Sequence, residues 1–105
     1  MDFLPVFLNV KGRLCLVVGG GEVARRKAGV LLEAGARVRV VAPGIHPELA
    51  EQRGVEAIAA RFEARHLEGM TLVIAATDDR SVNRQVSELA QARNIPVNVV
   101  DDPEL

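Results

Sequence analysis

The chain has 105 residues, 49% of them hydrophobic and 26% charged, enough to bury one modest core and too few for two ordinary domains. Its 13 basic and 14 acidic residues leave a formal charge of -1 and are interspersed, so no basic face is set apart to track the phosphates of DNA or RNA. A single cysteine, Cys15, with only His46 and His66 beside it, excludes an internal disulfide and falls short of a structural zinc site, which leaves Cys15 as a small buried hydrophobe.

The N-terminal "MDFLPVFLNV" carries an acid at position 2, a proline at 5 and no positive leader, so it does not read as a signal peptide. No stretch approaches the ~18 consecutive apolar residues of a membrane span. The expectation is a cytoplasmic protein with neither membrane nor nucleic acid as a partner.

The first element is a strand over 13–18, "RLCLVV", a short apolar run of β-formers that stops at three glycines, as a strand buried on both faces does. A helix follows over 22–34, with apolar residues Val23, Ala24, Ala28, Val30, Leu31 and Leu32 at helical spacing and Gly35 placed for a left-handed cap. "ARVRVVAP", 36–43, reads as a second strand ended by a proline that cannot donate to a ladder. Beyond it lie a short helical candidate at 47–53, a weaker third strand at 55–60 and a turn or two of helix at 63–70. "TLVIAAT", 71–77, is the clearest strand, and a helix over 80–93 follows with Val82, Val86, Leu89 and Ala90 facing inward. "PVNVV", 96–100, is the fifth strand and is expected to be buried.

Strands alternating with helices at this pitch predict an α/β fold: a doubly wound, five-stranded parallel Rossmann-like sheet of order 3-2-1-4-5, as one domain over 1–105.

Gly19, Gly21 and Ala24 form a G-x-G-x-x-A pattern directly after the first strand and at the mouth of a helix. Gly19 suits the tight turn, Gly21 lets a pyrophosphate approach the backbone, and Ala24 permits close packing of helix on strand. The pyrophosphate would lie on free N–H groups at the positive end of the helix dipole. The acid expected about 20 residues on, to hold the adenosine ribose, is absent, because the second strand ends Val40, Val41, Ala42, Pro43. Arg25, Arg26 and Lys27 read either as a 2′-phosphate site or as a solvated helix face.

Thr77, Asp78 and Asp79 stand at the carboxyl end of the fourth strand, and Asn98, Asp101 and Asp102 at or near that of the fifth. Ligands of open α/β sheets bind outside these strand ends, where a carboxylate can take a proton or offer oxygen to a cation. Asp79 and Asp102 read better as a helix cap and a turn opener. His46 and His66 read as surface or capping residues.

Together "FLPVFLNVKGRLCLVVGGGEVARRKAGVLLEAGARVRVVAP", "LVIAATDDRSVN" and "VNVVDDP" resemble the N-terminal dinucleotide-binding domain of siroheme synthases and, more broadly, the precorrin-2 dehydrogenase and sirohydrochlorin ferrochelatase family. The resemblance covers essentially the whole chain. It implies NAD-dependent oxidation of precorrin-2 to sirohydrochlorin, followed by insertion of ferrous iron to give siroheme. It implies that Gly19, Gly20, Gly21, Glu22 and Val23 line the pyrophosphate and ribose, that Val41 and Ala42 lie near the adenosine, and that Ala76, Thr77 and Asp78 lie near the nicotinamide half. It makes Asp101 the general base and chelatase residue, with no resident metal. The family's downstream dimerisation segment and helical region do not lie within these residues, so a homodimer is expected only with them. Two readings from other classes stand beside this one: a non-catalytic nucleotide-sensing module, and a chain whose glycines serve only to turn it.

Overall fold

In the computed structural model, which describes residues 6–100, nine elements follow one another: β1 (Leu14–Val18), α1 (Glu22–Glu33), β2 (Arg37–Ala42), α2 (Pro47–Ala50), β3 (Val55–Ala59), a 3-10 turn (Ala64–Leu67), β4 (Leu72–Ala75), α3 (Arg80–Ala92) and β5 (Val97–Val99). All strand pairs are parallel, and the sheet order is β3-β2-β1-β4-β5. The predicted order and fold class are therefore those observed.

β1 is central, with Val17 opposite both Val40 and Ile74, and its side chains alternate between two half-cores. Cys15 and Val17 pack with Ala24, Ala28 and Leu31 of α1 and with Val38 and Val40 of β2. Leu16 and Val18 pack on the other face with Val86 and Ala90 of α3, Val73 and Ala75 of β4, and Leu67 of the 3-10 turn. Strands covered on both faces must be apolar at every position, which is why β1 and β4 read as unbroken apolar runs. Each fully buried Leu or Val contributes about 1.5–3 kcal/mol over its exposed state. Cys15 lies fully buried in this core and its thiol is pushed up by desolvation.

Ala34 is the C-cap of α1, and Gly35 follows at φ +86°, the left-handed conformation expected of it. One expectation needs correction. β5 is a half-exposed edge strand and not a buried one: Asn98 is exposed and Val99 is 36% accessible. Only one side of β5 has a strand neighbour among the described residues. On α3, Val86 and Ala90 are fully buried and Val82 and Leu89 pack half-buried against the same core, as expected, but Asn83 is buried as well. A polar residue thus occupies a place where the sequence predicts only apolar ones.

Candidate functional site

β1 and β4 are neighbours whose chains leave the sheet in opposite directions, β1 into α1 and β4 into α3, and a cleft opens between their carboxyl ends. Its volume is about 490 Å³. The glycine turn, Gly19 to Val23, forms one wall, Ala42 to Gly44 a second, and Ala76 to Asp78 with Arg80, Asn83 and Val100 a third.

The three glycines have three different physical reasons. Gly19 sits at φ +138°, and a Cβ there would overlap the Ala76 carbonyl oxygen and lie 2.8 Å from its carbon. It lets the ends of β1 and β4 touch. A Cβ on Gly20 would overlap the Gly44 carbonyl oxygen and come within 2.9 Å of Ile45 Cα, and the Gly20 carbonyl accepts the His46 N–H at 2.8 Å. That glycine therefore seats the turn against the loop after β2. Gly21 differs from both. Its backbone is extended (φ -98°, ψ -159°), a conformation any residue adopts, and a Cβ there would meet nothing within 4 Å. No packing within the described residues demands a glycine at this position.

Gly21 is also the N-cap of α1, and no side chain caps that helix. The first N–H groups of a helix have no intrahelical acceptor, and with the helix dipole they make a site for an anion. Glu22, in this first turn, is held by Arg25 at 3.0 and 3.1 Å, which keeps its carboxyl below the usual range, and Arg25 also reaches Glu48 at 3.4 Å. Arg25, Arg26 and Lys27 do not line the cleft, and Arg25 is engaged by two carboxylates.

The opposite wall is tied together by Asn83. The Thr77 N–H and hydroxyl both donate to Asn83 Oδ1, at 3.1 and 2.7 Å. Asn83 Nδ2 donates to the Thr77 carbonyl at 3.0 Å and, at 3.5 Å, to the Val100 carbonyl. Thr77 thus spends its backbone and side-chain polar groups inside the protein, whereas Asp78 is exposed at the cleft. Asp79 caps α3: its Oδ1 accepts from the Ser81 hydroxyl (2.6 Å) and N–H (2.9 Å), and these bonds, with one from the Val82 N–H, hold its carboxyl below the usual range.

Of the predicted cofactor residues, Gly19, Gly20, Gly21, Glu22, Val23, Ala42, Ala76, Thr77 and Asp78 all border the cleft. Val41 does not. It is fully buried, accepts the Gly19 N–H at 3.0 Å, and borders a smaller cleft of about 250 Å³ with Arg61, Phe62 and Gln85. Asn98, expected at the crevice, is exposed on the edge strand and is absent from both linings. Asp101 and Asp102 lie outside the described residues. Pro43, Gly44, Arg80, Asn83 and Val100 line the cleft without having been singled out.

The histidines stand apart from the cleft. His46 Nδ1 caps α2 by accepting the Glu48 N–H at 3.1 Å. His66 is a capping residue too, its Nδ1 accepting the Glu63 N–H at 2.9 Å, but it is buried and not on the surface. Among the described residues no group of three or more His, Cys, Asp or Glu could hold a metal ion, and no helix is long and apolar enough to cross a membrane.

An open glycine cradle, an uncapped helix start and a cleft spanning two strand ends fit a dinucleotide. Comparison with known proteins agrees. Residues 6–105 match the family described as "Putative NAD(P)-binding". The chain is 56% identical over 108 aligned residues to a siroheme synthase of Methylobacillus flagellatus and 57% identical over 108 to one of Pseudomonas aeruginosa, with all of this chain and 23% of each relative covered. The chain therefore spans about a quarter of the length of these relatives. Among solved structures, the precorrin-2 dehydrogenase SirC superposes with a TM-score of 0.80 at 29% identity, over 95% of this chain and 50% of that one. The chain belongs to the NAD(P)-binding family, in the group that its siroheme synthase and precorrin-2 dehydrogenase relatives form.

Proposed function

We propose that this chain is the cofactor-binding part of an NAD-dependent dehydrogenase that converts precorrin-2 to sirohydrochlorin, in a cytoplasmic protein that also directs ferrous iron into the product. The observation that carries the reading is Gly21: an unfilled position at an uncapped helix start, facing a cleft between two strand ends.

The free N–H groups at the start of α1 receive the pyrophosphate. Glu22, kept ionised by Arg25, is an acceptor for ribose hydroxyl groups on the same wall. Ala42, with the buried Val41 beneath it at the end of β2, stands toward the adenosine end, and Ala76, Thr77 and Asp78 toward the nicotinamide end, because the glycine turn separates the loops after β2 and β4. When bound, the nicotinamide accepts the hydride that leaves the macrocycle. Loss of that hydride must be matched by loss of a proton, and a carboxylate beside the cleft supplies the base. Asp101, the residue after the cleft-lining Val100, takes that role. The same carboxylate suits metal insertion, which strips protons from pyrrole nitrogens; iron is substrate there and is not retained by a resident site. The remaining tetrapyrrole walls and a homodimer interface belong, on this reading, to regions of a longer protein, as the 23% coverage of the relatives suggests.

The test is precorrin-2 with NAD, followed by absorbance, in a protein that carries this chain and the rest of its relatives' length. Asp101→Ala should slow dehydrogenation by about 10²–10⁴-fold, the usual contribution of a positioned base. A wild-type rate in Asp101→Ala would remove the assigned base. NADH binding with no turnover of precorrin-2 in the wild type would favour a nucleotide-sensing module instead.

A further inference from the structure

The two clefts share a border. Ala42, Pro43, Thr77 and Asp78 line both, so the smaller one opens from the larger across the ends of β2 and β4. It is bounded by the apolar side chains of Val41, Phe62 and Val82, surroundings that suit a planar heteroaromatic base. In an open α/β sheet the adenosine half of a dinucleotide lies at the end of the second strand, where an acid hydrogen-bonds the ribose 2′-hydroxyl or an arginine accommodates a 2′-phosphate. The acid is absent, since β2 ends Val40, Val41, Ala42 and is followed by Pro43.

An arginine is present, and it comes from β3. β3 pairs with β2 in parallel register through Ala42 and Ala59, and the Ala60 N–H donates to the Ala42 carbonyl at 3.0 Å. These bonds bring the next residue, Arg61, to the border of the smaller cleft with Ala42 and Pro43. Arg61 is exposed, and among the described residues no carboxylate pairs with it. The flanking cations differ: Arg39 is held by Glu56 and Arg65 by Glu63. Two carboxylates also line this cleft, Asp78 and Asp79, but both follow β4, which is separated from β2 by β1. With neighbouring strands ~4.8 Å apart, the β4 end lies roughly 10 Å from the β2 end and the β3 end about half as far. The backbone that carries the cation is thus the nearer of the two to a group at the end of β2.

We infer that Arg61 forms a phosphate-monoester subsite at the end of β2, through which the chain takes the 2′-phosphorylated dinucleotide, NADP, as well as NAD. The inference rests on the dinucleotide reading of the larger cleft and extends it to the choice of cofactor. A guanidinium can present two parallel N–H donors to the oxygens of a phosphate, and no acid on β2 opposes the added charge. NAD lacks that phosphate and is held by its pyrophosphate and adenosine alone.

NADPH and NADH are titrated by fluorescence against wild type, Arg61→Ala and Arg61→Glu in the longer protein, at low and at high salt, and precorrin-2 turnover is followed with NADP and with NAD. In the wild type NADPH is expected to bind at least as tightly as NADH and to weaken more steeply as salt rises, because the added contact is between charges. Arg61→Ala should lower the affinity for NADPH relative to that for NADH by about tenfold or more, the size of one charge-assisted contact. Arg61→Glu, which sets at this strand end the acid that NAD sites use, should move the ratio further toward NADH. A ratio of NADPH to NADH affinity that neither variant changes overturns the inference and leaves the dehydrogenase reading standing, as does a wild type that binds NADH and not NADPH. Loss of both affinities in equal measure in Arg61→Ala also overturns it, since that marks a structural role and not recognition of the phosphate. If NADPH binding depends on Arg61 and precorrin-2 is turned over with neither cofactor, the dehydrogenase reading fails and the subsite stands.

Discussion

The two long helices, α1 and α3, begin beside each other at the carboxyl edge of β1 and β4, and they begin in opposite ways. α3 is closed by its own chain: Asp79 accepts from the Ser81 and Val82 N–H groups and supplies the negative charge that a helix start attracts. α1 is left open, with Gly21 at the equivalent position, no side-chain cap and empty space where a Cβ would point. Capping by Ser, Thr, Asp or Asn is the cheap route to stability, so a helix that forgoes it beside a cleft leaves its anion site for something else. The difference separates a helix start that serves folding from one that serves binding.

The largest expected effect sharpens the comparison by showing that the glycine run is not uniform. Gly20→Ala drives a methyl into the Gly44 carbonyl and against Ile45 Cα, where backbone must move, and should destabilise the fold by ~2–4 kcal/mol. Denaturant unfolding would show this as a lower midpoint with the slope kept, and an unchanged midpoint would mean that the turn does not seat against the β2 loop.

A smaller effect comes from the closed helix. Asp79→Ala should lower Tm by a few degrees and leave NADH affinity as it is. Because hydrogen bonds hold the Asp79 carboxyl below its ordinary range, its contribution is complete above the unfolded-state pKa and is lost as pH falls through the lowered folded value. Wild type and Asp79→Ala should therefore converge in stability in strong acid and differ at neutral pH. A difference that persists unchanged into acid would deny the cap its charge.

Much of the fold is legible in the sequence because burial on both faces writes β1 and β4 as continuous apolar runs, and because Gly35 and Asp79 mark helix ends by local chemistry alone. Asn83 is less legible. Its burial depends on bonds to Thr77 and Val100, six and seventeen positions away, and composition treats it as a surface residue. One signal was available: Asn83 falls three residues before Val86 and seven before Ala90, on the same helical stripe. Gly20 hides for a related reason, since the G-x-G pattern leaves that position free and only the loop after β2 makes a glycine necessary there. β5 misleads because an apolar run of three to five residues fits an edge strand as well as a central one. Val41 was placed near the adenosine by family resemblance, whereas its register opposite Val18 puts it under the strand ends, bordering the smaller cleft.

The most direct measurement converts the open helix start into the closed kind. Gly21→Asp introduces the cap that α3 already has, in a backbone conformation that accepts it, and places a carboxylate in the cradle. NADH fluorescence titration and thermal melting are run together on this variant and on wild type. If the open start of α1 is the pyrophosphate site, Tm equals or exceeds that of wild type and NADH affinity falls at least about 100-fold, roughly 2.7 kcal/mol. NADH binding to Gly21→Asp at wild-type affinity would contradict it.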